Sequence, residues 1–578
     1  MEQVAPEQRE ERGAATAKPW VKSYPPGVPA EVDVTQYRSL VELLQEAASR
    51  YGKRDAAAFM GKRQTYAEVD AMSLSLAAWL QSKNLPKGAR VAIMLPNVLQ
   101  YMSSIGGILR AGYAVVNVNP LYTPRELEHQ LKDSGAQAII VLENFAHTLE
   151  QVIERTDVRH VVLASMGDCL GMLKGSLVNF VVRKVKKMVP AYSLTEGPRL
   201  SVTRFNAAMA EGSRLTFKPV DIGPDDVAFL QYTGGTTGVS KGATLLHRNV
   251  VANIIQAESW FMSRTAQLGD NKQLTIVCAL PLYHIFALTA CYMVGARLGM
   301  MCILIPNPRD LPTFIKTLQG YTVNLFPAVN TLFNALANHP DFAKLDFSEL
   351  VISNGGGMAV QKATAEKWLQ VTGCPVVEGY GLSETSPVAT INPLDLRQYN
   401  GSIGLPVPST DLVIRDDDGR DMPVGERGEI CIRGPQVMAG YWNRPDETAK
   451  VMTPDGFFKS GDIGIMDERG YFYIVDRKKD MILVSGFNVY PTEVEQVVNQ
   501  HPGVLECAAI GIPDDKSGEA VKLYVVRRDA NLTEEALQAY CKEQLTAYKR
   551  PRNIEFRKDL PKSNVGKILR RELREEKQ

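Results

Sequence analysis

The sequence predicts an α/β protein. It has a large N-terminal domain of helix-flanked sheets, a small β-barrel-like subdomain, and a small α+β C-terminal domain. Three observations carry this expectation. In the first third, helical spacings alternate with short β-type runs, which implies parallel strands covered by helices. Between residues 409 and 442, glycines and Asp-Gly turns separate short alternating strands. Past residue 480, helix patterns and strand-like runs form a unit of their own. A chain of 578 residues also exceeds what one hydrophobic core supports, so two or more domains are expected.

The elements follow in order. Leu40, Leu43, Leu44, Ala47 and Tyr51 keep helical spacing. Residues 90–95 are a β-type run ended by Pro96, and residues 114–118 are another. Pro124 then opens a helix rich in Glu and Leu. Residues 138–142 are a third run, and 429–433 alternate as in a half-buried strand. Pro491, with Glu493 and Glu495, starts a helix whose apolar face carries Val494, Val497 and Val498. Runs at 504–512 and 521–526 read as strands, and Thr533 caps a helix bearing Leu537, Tyr540, Cys541 and Leu545. The charged stretch Asp476-Arg477-Lys478-Lys479-Asp480 marks the boundary. Residues 1–18 are expected to be a disordered tail, 19–476 the N-terminal domain and 477–578 the C-terminal domain.

The chain is 45% hydrophobic and 22% charged with a formal net charge of +1. No global field therefore draws it to nucleic acid, and anion binding must come from local sites. The eight cysteines form no C-x-x-C pair and read as reduced core thiols of a cytoplasmic protein. The histidines lack metal-ligand spacing, which argues against a zinc site. The polar start has no apolar h-region and is not a secretory signal.

Residues 275–296 carry no formal charge over 22 positions, long enough to span a bilayer. Pro281, Tyr283 and His284 break the stretch into strand, turn and helix, so a buried core is expected. Residues 177–189, LVNFVVRKVKKMV, place Leu177, Val178, Val181, Val182, Val185, Met188 and Val189 on one helical side. Arg183, Lys184, Lys186 and Lys187 take the other, with Phe180 among them. Such a helix either lies on an anionic membrane or turns its apolar face to the core.

The strongest chemical signal is Tyr232-Thr233-Gly234-Gly235-Thr236-Thr237-Gly238-Val239-Ser240-Lys241-Gly242, which follows an apolar run. Its glycines let backbone N–H groups face an anion, and its hydroxyls and Lys241 add donors and charge. This suits a polyphosphate. It is not a Walker A loop, because no Gly-Lys pair occurs within it. Asn354-Gly355-Gly356-Gly357 allows close approach of a flat ring. Glu378-Gly379-Tyr380-Gly381-Leu382-Ser383-Glu384-Thr385 offers an aromatic face, a hydroxyl and a carboxylate able to hold Mg²⁺.

With Ser460-Gly461-Asp462, Asp476-Arg477 and Pro561-Lys562-Ser563-Asn564-Val565-Gly566-Lys567, these motifs occur in an order that resembles the adenylate-forming superfamily. That superfamily comprises acyl-CoA synthetases, aryl-CoA ligases, luciferases and peptide-synthetase adenylation domains. The resemblance runs from about Trp20 to about Arg574. It is closest to bacterial long-chain fatty-acid CoA ligases of fatty-acid degradation. Residues 455–479 match their signature segment, and Pro281-Leu282-Tyr283-His284-Ile285-Phe286 matches another.

The resemblance implies a reaction of fatty acid, ATP and CoA through an acyl-adenylate, and a role for each motif. The 233–241 loop (Thr233, Gly234, Gly235, Thr236, Thr237, Gly238 and Lys241) would hold the β- and γ-phosphates. Glu384, with Thr236, would ligate Mg²⁺, and Ser383 would touch the α-phosphate. Gly355, Gly356 and Gly357, with Tyr380, would sandwich the adenine, and Glu378, Gly379 and Gly381 would belong to the same ATP/AMP site. Asp462, assisted by Arg477, would accept hydrogen bonds from the ribose. His284 would sit near the acyl carboxylate, and Lys567 would bridge that carboxylate and the α-phosphate. The resemblance also makes the C-terminal domain mobile, with Lys479 at the hinge and Gly486 facing the CoA channel. It leaves open a homodimer and a peripheral contact with the cytoplasmic face of an anionic membrane. A medium-chain or aryl-acid ligase, and a non-catalytic nucleotide or lipid sensor, are the alternatives. A sensor would predict losses at Lys567, Glu384 or Asp462, and all three are present.

Overall fold

The computed structural model describes residues 18–233, 240–268, 272–485, 487–514, 517–563 and 566–575. Two large sheets form the body. In the first, Ser201–Arg204, His160–Ala164, Ala136–Leu142, Arg90–Met94, Ala114–Asn117 and Val227–Thr233 lie side by side and parallel. Lys241–Leu246 and Gly440–Tyr441 then extend it antiparallel. In the second, Asp55–Phe59, Met301–Leu304, Thr275–Cys278, Leu325–Ala328, Ile352–Gly355 and Val376–Gly381 are parallel. Inner strands covered on both faces bury most of their side chains, which is why they read as apolar runs. Val91, Ile93, Ile139 and Ile140, all 0% exposed, are examples.

Local chemistry sets the helix ends. Thr123 and Glu126 form a reciprocal capping box ahead of Pro124–Ser134. Gly135, at φ +61°, closes that helix in the left-handed conformation.

A third, antiparallel sheet joins Asp411–Arg415, Gly428–Arg433, Phe458–Met466 and Phe472–Arg477. The fourth sheet holds Phe487–Val489, Ile482–Val484, Gly518–Arg527, Val504–Asp514 and Asn553–Arg557. It has its own core of Val494, Val498, Cys507, Leu523, Leu537 and Cys541. The chain leaves the third sheet at Arg477 and enters the fourth at Ile482, so Lys479 lies in the connection.

The uncharged stretch is strand Thr275–Cys278, a turn, helix Ile285–Ala287, a π-helical segment Leu288–Met293 and helix Val294–Arg297. Among the described residues no helix is long and apolar enough to cross a membrane. Residues 177–189 depart from both helical expectations. The helix Met172–Phe180 runs into a π-helical turn, Val181–Val185, which shifts the phase of the wheel. Arg183 is not on a free basic face: its guanidinium is bidentate on Glu143, a carboxylate only 1% exposed, at 2.8–3.1 Å. Val182 is buried and Val178 packs on the core, but Leu177, Phe180, Val185 and Met188 stay exposed, as do Met172 and Leu173. The apolar side is therefore split between core and solvent.

Candidate functional site

The site lies where the two large sheets, the third sheet and the C-terminal unit meet. Open α/β sheets bind ligands beyond the carboxyl ends of their parallel strands, and several motifs lie there. Val227–Thr233 ends at Thr233, which pairs with Lys241 on the returning strand. Between them, Gly234, Gly235, Thr236, Thr237 and Gly238 lie outside the described residues, as does Gly486. Lys241 is placed: its ammonium pairs with the Glu447 carboxylate and stands 5.2 Å from the Tyr441 ring centre. Nearby, His129 Nε2 lies 3.1 Å from the Ser240 carbonyl oxygen.

In the second sheet Gly355 is the register partner of Glu378, so the two glycine motifs are adjacent. Their glycines differ in what they accommodate. A Cβ on Gly355 would meet Val360 Cγ2 at 2.5 Å and Val376 Cγ1 at 3.0 Å, so that space belongs to the core. A Cβ on Gly356 would meet Phe286 Cε1 at 3.0 Å and the Gly379 carbonyl oxygen at 3.2 Å. This ties the glycine run to the segment carrying His284. Gly357 is exposed, and its φ is +77°. On Gly381 a Cβ would lie 1.8 Å from the Pro387 carbonyl oxygen, so backbone alone fits. Glu378 is buried and accepts the Val360 N–H at 2.7 Å. Burial pushes its carboxyl up to about 8, so it supports the glycine segment from within.

Tyr380 donates its hydroxyl to Asp462 Oδ2 at 2.7 Å, and Arg477 Nε stands 3.0 Å from Asp462 Oδ1. Asp462 and Arg477 are cross-strand neighbours in the third sheet, which explains the pairing. Ser383 opens a single 3₁₀ turn, Ser383–Thr385, and Glu384 within it is buried. Tyr441 donates to Glu384 Oε1 at 2.7 Å, while burial holds that carboxyl above its usual range.

His284 is half-buried, and its Nδ1 accepts the Phe286 N–H at 3.4 Å. Burial and the Lys567 ammonium lower its pKa to about 4, which leaves a neutral imidazole at pH 7. Lys567 arrives from the C-terminal unit. Its carbonyl accepts the Ser563 N–H at 2.7 Å, and Ser563 Oγ accepts its N–H at 3.1 Å, closing a tight turn. Gly566 takes φ +81° in that turn, and a Cβ there would meet Thr331 Oγ1 at 2.4 Å. Burial, then Arg477, lower Lys567 to about 7, while Asp462 acts in the opposite direction. The structure thus joins Tyr380, Asp462 and Arg477 in one contact cluster, puts the Lys567 ammonium within electrostatic reach of that cluster and of His284, and holds both Glu384 and Lys241 against Tyr441.

The motifs by themselves did not indicate Tyr441 or Glu447. Gly440-Tyr441 gains meaning only through its pairing with Thr244 and Ala243, on the strand that begins at Lys241. Among the described residues, no group of three or more His, Cys, Asp or Glu side chains is arranged to hold a metal ion.

A profile of AMP-binding enzymes matches residues 44–442, and a profile of the AMP-binding enzyme C-terminal domain matches residues 493–567. The chain is 55% identical over 560 residues to a long-chain-fatty-acid–CoA ligase of Yersinia pestis, covering 97% of this chain and 98% of that one. It is 52% identical, with the same coverage, to a long-chain-fatty-acid–CoA ligase of Escherichia coli O6:H1. Among solved structures, an anthranilate CoA ligase, AuaEII, in complex with anthranoyl-AMP superposes with a TM-score of 0.79. That match has 25% identity and covers 94% of this chain and 98% of that one. By these matches across both of its units, the chain belongs to the family of AMP-binding enzymes.

Proposed function

We propose that the protein is an AMP-forming long-chain fatty acid–CoA ligase, an acid–thiol ligase. The observation that supports this reading is that the Lys567 ammonium, from the C-terminal unit, lies within electrostatic reach of His284 and of the Tyr380–Asp462–Arg477 cluster. The relatives named above support the choice of acid and thiol.

In the first half-reaction a carboxylate oxygen of the fatty acid attacks the α-phosphorus of ATP, and pyrophosphate leaves with the electron pair of the broken P–O bond. Two anions must approach, and a lysine ammonium at about 4 Å gains about 4 kcal/mol per unit charge at an effective dielectric of about 20. Lys567 supplies it. His284, held neutral, donates to the acyl carboxylate without adding charge. Asp462 accepts from both ribose hydroxyls, since an ionised carboxylate is acceptor-only. Lys241 leaves Glu447 for the β- and γ-phosphates. In the second half-reaction the CoA thiol, losing its proton to solvent, attacks the acyl carbonyl carbon and AMP leaves. Lys479 is the hinge between the two poses, and the thiol path is assigned to the segment of Gly486, which lies outside the described residues.

Mg²⁺ fits the Glu384 position, where a buried carboxylate is short of positive charge and Tyr441 fixes one oxygen. When bound it would neutralise phosphate charge.

Residues 276–282 and 285–289 flank His284 along the chain, 323–329 contain the strand that pairs with Thr275–Cys278, and none of the three segments carries a formal charge. An apolar tunnel there shelters each added methylene for about 0.8 kcal/mol, or roughly fourfold in kcat/KM per carbon until the tunnel ends. ATP–pyrophosphate exchange and thioester formation across saturated acids from about C4 to C18 should rise to a plateau among long chains. A maximum at C4, or with benzoate-type acids, would transfer the reading to a short-chain or aryl-acid ligase.

A peripheral membrane contact is part of this reading. Six large apolar residues between 172 and 188 are exposed, and Lys184, Lys186 and Lys187 are exposed beside them. Changing these three lysines to Gln should weaken co-sedimentation with anionic vesicles, by about fivefold for each charge that reaches the surface. Arg183 is left in place because it holds Glu143. Unchanged binding at moderate salt would remove the membrane contact from the proposal.

A further inference from the structure

We infer that Arg570 is a positioning residue that locks Lys567 in its adenylation pose, and that Asp476 is the half of this lock the hinge motion must break. This rests on the two-pose reading given above. Arg570 opens the short helix Arg570–Glu575, three residues past Lys567. One guanidinium faces three carboxylates from three places in the chain. Its Nη2 and Nε lie 2.6 and 3.0 Å from the two oxygens of Glu495, on the helix Pro491–Val498 of the C-terminal unit. Its Nη1 lies 3.3 Å from Asp480 Oδ2, just past the hinge residue Lys479, and 3.7 Å from Asp476 Oδ1. Asp476 belongs to the strand Phe472–Arg477 of the third sheet, before the hinge.

The surroundings make these charges interdependent. The Asp476 side chain is 1% exposed, and its oxygens also accept the Arg477 N–H at 2.6 Å and the Thr492 N–H at 2.7 Å. Arg574 adds a second contact to Asp480 at 2.9 Å. Burial raises Asp476 and Glu495 above the usual carboxylate range, against Arg570; at Asp480 the two arginines outweigh burial. A buried carboxylate that loses its cation is left uncompensated, which strongly disfavours that arrangement.

Rotation about Lys479 carries Asp480, Glu495, Arg570 and Arg574 together as one group. Asp476 stays with the third sheet. The Asp476–Arg570 attraction and the Thr492 N–H bond to Asp476 therefore exist only in the pose described here, and both favour it. A contact present in one of two states shifts their populations by its own free energy. Because Arg570 sits on the segment that carries Lys567, the same contact places the ammonium beside Asp462 and His284. The Arg570 guanidinium is taken up by Glu495, Asp480, Asp476 and Thr492 and acts through Lys567.

The test separates the two half-reactions in the full-length enzyme. Asp476→Asn removes the charge and keeps an acceptor oxygen for one of the two N–H groups, which bond different oxygens of the carboxylate. It should lower fatty-acid-dependent ATP–pyrophosphate exchange about fivefold while thioester formation from supplied acyl-adenylate holds or rises. Arg570→Lys, which loses the fork on Glu495, should split the half-reactions in the same direction and further. Limited trypsin cleavage after Lys478 and Lys479 should be faster in both variants than in the wild type. Equal effects on the two half-reactions, or no effect, with unchanged cleavage, would overturn the lock. A wild-type enzyme that forms no acyl-adenylate would instead overturn the proposed function.

Discussion

Replacing Lys567 with alanine lowers the adenylation rate by about 10²–10³-fold, the cost of one preorganised electrostatic donor, and leaves thioester formation from supplied acyl-adenylate at the wild-type rate. On the proposed mechanism the split arises because the ammonium meets two anions only in the first half-reaction. A stopped-flow comparison of the two steps measures it, and equal losses in both would refute the role. The same lysine imposes a pH dependence. Burial lowers it from the usual 10.5 to about 7, so in the free enzyme the cation is lost as pH rises through about 7. The kcat/KM for adenylation should fall along that limb. Bound carboxylate and phosphate favour the cation again, so kcat should hold to higher pH. Lys567→Arg should remove the limb, because a guanidinium stays charged throughout. The stability sign is opposite to that of a paired lysine. Between about pH 7 and 10.5 the unfolded chain holds this proton and the native one does not. The destabilising contribution present below pH 7 is therefore relieved as pH rises across that window.

Gly566→Ala should lower adenylation by about ten- to a hundredfold and spare the thioester step. The residue sits at φ +81°, where a side chain costs about 1–2 kcal/mol, and the new Cβ would lie 2.4 Å from Thr331 Oγ1. Thr331 belongs to the helix Asn330–Ala337 of the N-terminal body, so on the proposed two-pose mechanism the collision arises only when the C-terminal unit is docked as it is here. Adding Thr331→Ala removes the struck oxygen and should restore part of the rate, with backbone strain remaining. Loss of both half-reactions together, or no rescue by Thr331→Ala, would make Gly566 a folding glycine instead.

Much of this architecture was written in local sequence, and the reason is range. Parallel strands buried on both faces need unbroken apolar runs, so residues 90–95 and 138–142 declared themselves. The helix starts at Pro124 and Pro491 depend on residues within one turn of each other. The linear motifs also placed Asp462, Glu384 and Lys567 on a short list, because each sits in a distinctive string.

What those strings did not contain is who touches whom. The hydroxyl on Asp462 comes from Tyr380, 82 residues away, and that on Glu384 from Tyr441, 57 residues away. Both contacts follow from strand register and sheet packing. The glycines looked equivalent in sequence, yet Gly355 gives its space to Val360 and Val376, while Gly566 gives its space to Thr331. The basic helix shows the same limit most clearly. A helical wheel assumes an unbroken 3.6-residue period, but a buried Glu143 40 residues earlier draws Arg183 inward, and a π-turn changes the phase. Periodicity and capping are properties of neighbouring residues and are therefore legible one chain position at a time. The partners of a buried charge are chosen by the packed fold, which alone decides whether desolvation is compensated.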